Sequence, residues 1–245
     1  MESTTSYWYL KHFNIFDGLD DETVAYVDQH SAMCTFLKNE PIFFPSDPRK
    51  YIFFLKKGLV KVTRYAEDGR EVILDLIGPG EVFGQLTTPE STDTTSFFGA
   101  ATHGGLSESA VALDDVMLCN IYRGDFDKIL IKYPQLNYSL TRLVGFRLKK
   151  LEQRVTDLVF KDVGERIVTF LLGFADQFGT IQHGQISLKP SLSHQDIGRL
   201  TGASRQTVTE TLNMLRDVGE IHFDRKVITL LQPDALRRRL KSANR

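Results

Sequence analysis

The segment Leu192–Ile221 reads LSHQDIGRLTGASRQTVTETLNMLRDVGEI. On a helical wheel, Val208, Leu212 and Leu215 take one side of its second half. Gln206, Thr209, Glu210 and Asn213 take the other, with Arg205 in the first turn. These outward residue types suit the edges of DNA bases. A guanidinium bonds the O6 and N7 of guanine, and a carboxamide bonds the N6 and N7 of adenine. A carboxylate accepts from the cytosine N4 amine, and a threonine methyl packs on a thymine methyl.

Two helices must position that set. Ser193, with Asp196 at the third helical position, is an N-cap signature, and Ile197 and Leu200 give the first helix its inner side. Thr201-Gly202 stops it, because glycine accepts the left-handed backbone of a sharp turn. Ser204 caps the second helix. The pattern predicts a helix-turn-helix whose second helix enters a major groove N-terminal end first. After it, EIHFDRKVITLL predicts a two-stranded wing that turns at Asp224-Arg225-Lys226, with Arg225 and Lys226 on phosphates. The expected DNA-facing set is Ser193, Ser204, Arg205, Gln206, Thr209, Glu210, Asn213, Arg225 and Lys226. The alternative is a helical hairpin that serves a protein partner.

Upstream, residues 134–160 form one amphipathic run. Leu136, Leu140, Val144, Arg147, Leu151, Val155 and Leu158 recur at steps of four and three. That spacing predicts a helix of about 25 residues, roughly 37 Å long. An identical helix from a second subunit would cover its stripe as a coiled coil and make a C2 homodimer. The alternative is a helix packed on its own domain. Arg147 is the one polar side chain in the stripe. Asp162 and Glu165 then form a capping box that starts another helix, so the hinge is placed near Phe160.

Residues 40–130 read as strands. YIFFLKKGLVKVTRY turns at Lys57-Gly58, GREVILDLIGPGEVFGQL follows, and SAVALDDVMLCNI is a third such run. Short strands punctuated by glycine predict a small antiparallel roll. Residues 87–106 are Ser/Thr-rich without a period, giving either an irregular surface insertion or a lid latched by Phe97 and Phe98.

Composition sets outer limits. The 245 residues are 42% hydrophobic and 25% charged, enough for one large domain or two modest ones. No apolar run is long enough for a membrane span, and the N-terminal residues do not read as a secretory signal, so a cytoplasmic protein is expected. Two cysteines, Cys34 and Cys119, exclude a four-thiolate iron–sulfur site and suit reduced thiols. His12, His30 and His103 are scattered and suggest no haem or metal site. Residues 1–133 hold 12 basic and 20 acidic side chains, residues 134–160 hold 5 and 2, and residues 161–245 hold 13 and 9. An acidic front and a basic back suit a chain that meets a polyanion at its back only. No nucleophile elbow, phosphate loop or HExxH occurs, and GPGEVFG lies between strands, so no enzyme is expected.

Roll, long helix and winged helix-turn-helix in this order resemble the family of the cyclic-AMP receptor protein and FNR. The carriers are YIFFLKKGLVKV, GPGEVFGQL, VALDDVMLCNIYRGDF, FKDVGERIVTFLL and the segment from Leu192 to Ile221. The resemblance implies an α+β chain: a cyclic-nucleotide-binding-like jelly roll with flanking helices over 1–133, a dimerisation helix over 134–160 and a winged helix-turn-helix over 161–245. It implies a homodimeric bacterial transcription regulator on double-stranded DNA, with RNA polymerase as partner where it activates. Arg205 matches the arginine that opens the family's recognition helix. Gln206 stands where many members have Glu, and Glu210 where many have Arg.

The resemblance also places an effector pocket. Where cyclic-AMP binders have Gly-Glu-Leu, this chain has Gly84-Gln85-Leu86. Where they set Arg-Ser on the cyclic phosphate, it has Leu106-Ser107. Where a Thr-Ser pair meets adenine, it has Leu151-Glu152. A buried phosphate opposite leucine lacks its charge partner. Cyclic AMP is therefore not the expected effector, and no cofactor is expected. The alternative function is a ligand-sensing roll whose C-terminal domain serves a protein partner.

Overall fold

The computed structural model describes residues 20–44, 50–65, 69–84, 108–189, 192–224 and 227–243. Two compact units divide the chain, 1–70 with 74–147 and 71–73 with 148–245. The division falls inside the long helix, after Arg147.

The first unit is a roll. Helix α1 (Asp21–Gln29) precedes eight strands: β1 (Ser31–Phe36), β2 (Pro41–Phe43), β3 (Tyr51–Lys57), β4 (Val60–Tyr65), β5 (Glu71–Ile77), β6 (Val82–Gly84), β7 (Glu108–Ala112) and β8 (Val116–Tyr122). They form two four-stranded sheets, β1-β8-β3-β6 and β2-β7-β4-β5. Each described pairing in them is antiparallel. The SAVALDDVMLCNI run is therefore two strands, parted at Leu113–Asp115.

The run Ile52-Phe53-Phe54-Leu55 is buried throughout because β3 is covered on both faces. Phe53 and Leu55 point between the sheets with Val60, Val62, Ile77, Phe83 and Ala110. Ile52 and Phe54 point the other way, to Val24 and Val27 of α1 and to Phe126 and Ile129 of helix α2 (Arg123–Lys132). Alternation along a strand sends successive side chains to opposite faces, and here both faces are apolar. His30 closes α1, its Nδ1 2.7 Å from the Tyr26 carbonyl oxygen. Cys34 and Cys119 lie on neighbouring strands and are not joined in a disulfide, and burial pushes the Cys34 thiol up from its ordinary pKa.

Helix α3 (Gln135–Phe160) has the expected length of 26 residues, but its stripe serves two purposes. Leu136 is fully buried in the roll's helix-side core, and Leu140 and Leu143 pack against that core. Leu136 is thus covered by the roll and has no surface left for a second subunit, while Leu140 packs against the roll and stays half-buried. Arg147 leaves the stripe as well, since its guanidinium donates to the Val82 carbonyl oxygen. Leu148 takes its place. Val144, Leu148, Leu151, Val155 and Leu158, spaced four, three, four and three, each remain more than half exposed.

The second unit is built on helix α4 (Val163–Phe178). Its capping box is formed: the Asp162 side chain accepts from the Glu165 amide at 2.8 Å, and the Glu165 carboxylate accepts from the Asp162 amide at 2.9 Å. Ile167, Val168, Leu171, Leu172, Phe174 and Ala175 bury its inner face. Strands β9 (Gly179–Gln182) and β10 (Gln185–Leu188) follow, then helix α5 (His194–Thr201), helix α6 (Arg205–Asp217), strands β11 (Ile221–Phe223) and β12 (Ile228–Leu230), and helix α7 (Pro233–Ala243). The four strands form one sheet in the order β11-β12-β10-β9. No described helix is long and apolar enough to cross a membrane.

Candidate nucleic-acid interface

Ser193 and Ser204 cap α5 and α6. Ser193 Oγ accepts from the Asp196 amide at 3.1 Å, and Ser204 Oγ accepts from the Thr207 amide at 3.0 Å. Each satisfies one amide left without a partner in a first helical turn. Gly202 joins the helices at φ +66. The crossing is close: a Cβ on Gly198 would lie 2.6 Å from the Ala203 carbonyl oxygen, so that position admits glycine only. Val208, Leu212 and Leu215 are fully buried beneath α6, as their spacing requires.

Arg166 of α4 fixes this assembly from behind. Its Nε donates to the Thr201 carbonyl oxygen at 2.8 Å, its Nη1 to that of Lys161 at 2.8 Å, and its Nη2 to that of Gly202 at 3.4 Å. One guanidinium thus ties the end of α5 and its turn to the start of α4. The sequence reading did not single Arg166 out. Two of its three partners are carbonyls some 35 positions away, which no periodicity reveals.

The outer face of α6 is polar. Arg205, Gln206 and Glu210 are exposed, and Thr209 and Asn213 are half-buried. The Gln206 amide donates to the Glu210 carboxylate at 2.9 Å, so two of the candidate readers form one unit. Thr209 is the most constrained. Its Oγ1 lies 2.9 Å from the Arg205 carbonyl oxygen and 2.8 Å from His194 Nδ1. His194 opens α5 and is another side chain that the sequence reading missed. Its ring stands nearly edge-on to Phe223 of β11, with centroids 5.8 Å apart. Burial, and then the Arg205 charge, hold its pKa below the ordinary histidine value. Strands β11 and β12 form the expected wing, and the Asp224 side chain accepts from the Val227 amide at its turn. Arg225 and Lys226 lie outside the described residues.

The effector-pocket candidates are not assembled by the described residues. Gly84 ends β6 at φ +96. Gln85, Leu86, Leu106 and Ser107, and the 87–106 segment with Phe97 and Phe98, lie outside the described residues. Leu151 and Glu152 are exposed on α3. No group of three or more His, Cys, Asp or Glu side chains among the described residues is arranged to hold a metal ion.

Comparisons with known proteins agree on both halves. Residues 33–133 match the cyclic nucleotide-binding domain, and residues 165–239 match the Crp-like helix-turn-helix domain. The global nitrogen regulator of Nostoc sp. is 33% identical over 83% of this chain and 87% of its own length. The CRP-like cAMP-activated global transcriptional regulator of Mycobacterium tuberculosis is 27% identical over 95% of this chain and 98% of its own. Among solved structures, FixK2 from Bradyrhizobium japonicum shares the fold at a TM-score of 0.67, with 23% identity, 85% of this chain and 96% of that chain covered.

Proposed function

The chain belongs to the CRP/FNR family of DNA-binding transcription regulators, and we propose that it acts as a homodimer on a pseudo-palindromic site without cyclic AMP as its gate. The observation that carries this reading is the recognition face of α6: polar residues outside, leucines beneath, a capped N-terminal end free to enter a groove. In the proposal Arg205, Gln206, Thr209, Glu210 and Asn213 read base edges. Ser193, Ser204, Arg225 and Lys226 lie along the backbone, where phosphate contacts set position and orientation.

The exposed stripe from Val144 to Leu158 supports the dimer. Five apolar side chains at heptad spacing on one helix face water in the single chain, and a second copy of α3 would cover them. Two recognition helices would then sit about one DNA turn, roughly 34 Å, apart. The roll over 1–133 and the winged domain over 161–245 are the working parts, and 134–160 joins them to the second protomer.

The effector belongs to the reading too. The Mycobacterium tuberculosis relative is named as cAMP-activated, and the Nostoc relative is named for nitrogen regulation. Gln85, Leu106 and Glu152 stand where a ribose-gripping carboxylate, a phosphate-binding arginine and an adenine-contacting serine would be needed. A different small effector, or none, fits these substitutions better. RNA polymerase would be the further partner at promoters the protein activates, and the protein carries out no catalysis. Selection from a randomised duplex library tests the whole reading. The expected product is a two-fold-related pair of half-sites one turn apart. Enrichment of unrelated duplexes, or of single half-sites only, would refute it.

A further inference from the structure

We propose that His194 is a positioning residue for base reading: it holds the Thr209 hydroxyl within the protein so that the Thr209 methyl meets the 5-methyl of a thymine. This rests on the reading of α6 as the helix in the groove.

The argument starts from one proton. Thr209 Oγ1 contacts the Arg205 carbonyl oxygen at 2.9 Å and His194 Nδ1 at 2.8 Å. A carbonyl oxygen only accepts, so the single hydroxyl proton goes to Arg205. His194 Nδ1 must then carry its own hydrogen and donate it to Oγ1. The geometry thus assigns the neutral ring to its Nδ1–H tautomer. The ring has little freedom to do otherwise, because it is half-buried and held against Phe223.

The consequence lies at the other branch of Thr209. Its hydroxyl has donated its only proton and is engaged by His194, so it has no hydrogen to offer a base acceptor. A β-branched side chain has one stiff torsion, and fixing Oγ1 also fixes the methyl. The methyl is what Thr209 has left to present, between the exposed Gln206 and Glu210. In the major groove the apolar feature is the thymine 5-methyl. Without the His194 bond, the Arg205 carbonyl alone holds the hydroxyl; Thr209 could exchange that bond for one to a base edge, and its preference for thymine would fall.

The experiment replaces each thymine of the selected duplex, one at a time, with deoxyuracil, and measures binding by fluorescence anisotropy. The unmodified protein should lose about fourfold at one thymine per half-site, the worth of one buried methyl-sized group. Thr209→Ser should show no loss at that base. His194→Ala should cut the discrimination at that thymine to under twofold. His194→Asn, whose amide nitrogen can take the place of Nδ1, should restore it. A selected site in which no thymine is sensitive, or full discrimination in His194→Ala, overturns the proposal and leaves the DNA-binding reading standing. Failure to select any site sinks that reading and the proposal together. In the unmodified protein, nitrogen-15 NMR should show the neutral ring of His194 protonated at Nδ1. Protonation at Nε2 overturns the proposal even if the alanine variant does not fold.

Discussion

At the residue scale, the recognition face separates into side chains that reach outward and side chains that hold others. Arg205 reaches outward from the first turn of α6, where in the proposal its guanidinium would meet base edges first. Arg205→Ala should relax specificity at one base pair per half-site and cost about 1–3 kcal/mol, measured by competition between duplexes that differ at that pair. A uniform loss across all duplexes would make Arg205 a phosphate contact instead. His194 holds, and its titration leaves a trace in stability. Burial and then the neighbouring Arg205 lower its folded pKa below 6.5, so the folded chain resists the proton that the unfolded chain accepts. Well above pH 6.5 the ring is neutral in both states and its contribution is level. As pH falls from there toward the lower folded value, stability is lost. His194→Asn should therefore lose less melting temperature than the unmodified protein between pH 7.5 and pH 5.5, and an equal loss would remove His194 from the acid slope. The two cap serines and Gly202 were legible in the sequence because a cap or turn is decided within a few neighbouring residues. His194 was not, since its partners lie on α6 and β11 and its type alone says nothing of them.

At the element scale, periodicity gave length and face but not partner. The 26 residues of α3 match a stripe readable from its apolar spacing. Yet Leu136 is covered by the chain's own roll and Leu140 is half-buried against it, and the apolar side chains of the stripe stand more than half exposed only from Val144 onward. A stripe records that something apolar covers it and does not record what. Arg147 marked the change, and the exposed stripe steps to Leu148 because the Arg147 guanidinium is taken by the Val82 carbonyl. The hairpin β9–β10 was missed although its signal was present. His183 and Gly184 both take positive φ, 50 and 78, the backbone that a two-residue hairpin turn requires. Helix α7 was also missed; Pro233 at its first position was its mark. The seam predicts a specific failure. Leu151 and Val155 would each lie at the centre of a dimer, and burying one such side chain stabilises by about 1.5–3 kcal/mol. Leu151→Asp with Val155→Asp would set carboxylates against their copies. The double variant should sediment as a monomer with an unchanged circular dichroism spectrum, and a persisting dimer would move the interface elsewhere.

At the scale of the whole molecule, the acidic front and basic back match the division of labour in the proposal. Residues 1–133 carry 12 basic against 20 acidic side chains, a balance that would disfavour contact with a polyanion, while residues 161–245 carry 13 against 9. The order of roll, long helix and winged helix-turn-helix was legible because each part has its own period. The pocket was not, because its candidate anchors sit in separate segments of sequence, and only a comparison with known binders gives them a meaning. That comparison leads to the last prediction. A cyclic nucleotide brings a phosphate that must meet a cation where it is buried, and the position implied for that cation is Leu106. A ligand at about 100 times its dissociation constant stabilises the state it binds by about 2.7 kcal/mol. Cyclic AMP at a concentration that would saturate a cyclic-AMP-activated regulator should therefore leave the melting temperature unchanged. It should also leave affinity for the selected duplex unchanged, because a ligand shifts an equilibrium only by its difference in affinity for the two states. DNA affinity itself should respond to salt. A protein making about 6–10 phosphate contacts loses about 10³–10⁵ in affinity between about 50 and 200 mM. A melting temperature that rises with cyclic AMP, together with DNA binding that tightens at fixed salt, would show that the roll grips the nucleotide through groups other than Gln85, Leu106 and Glu152, and would return the chain to cyclic-AMP control.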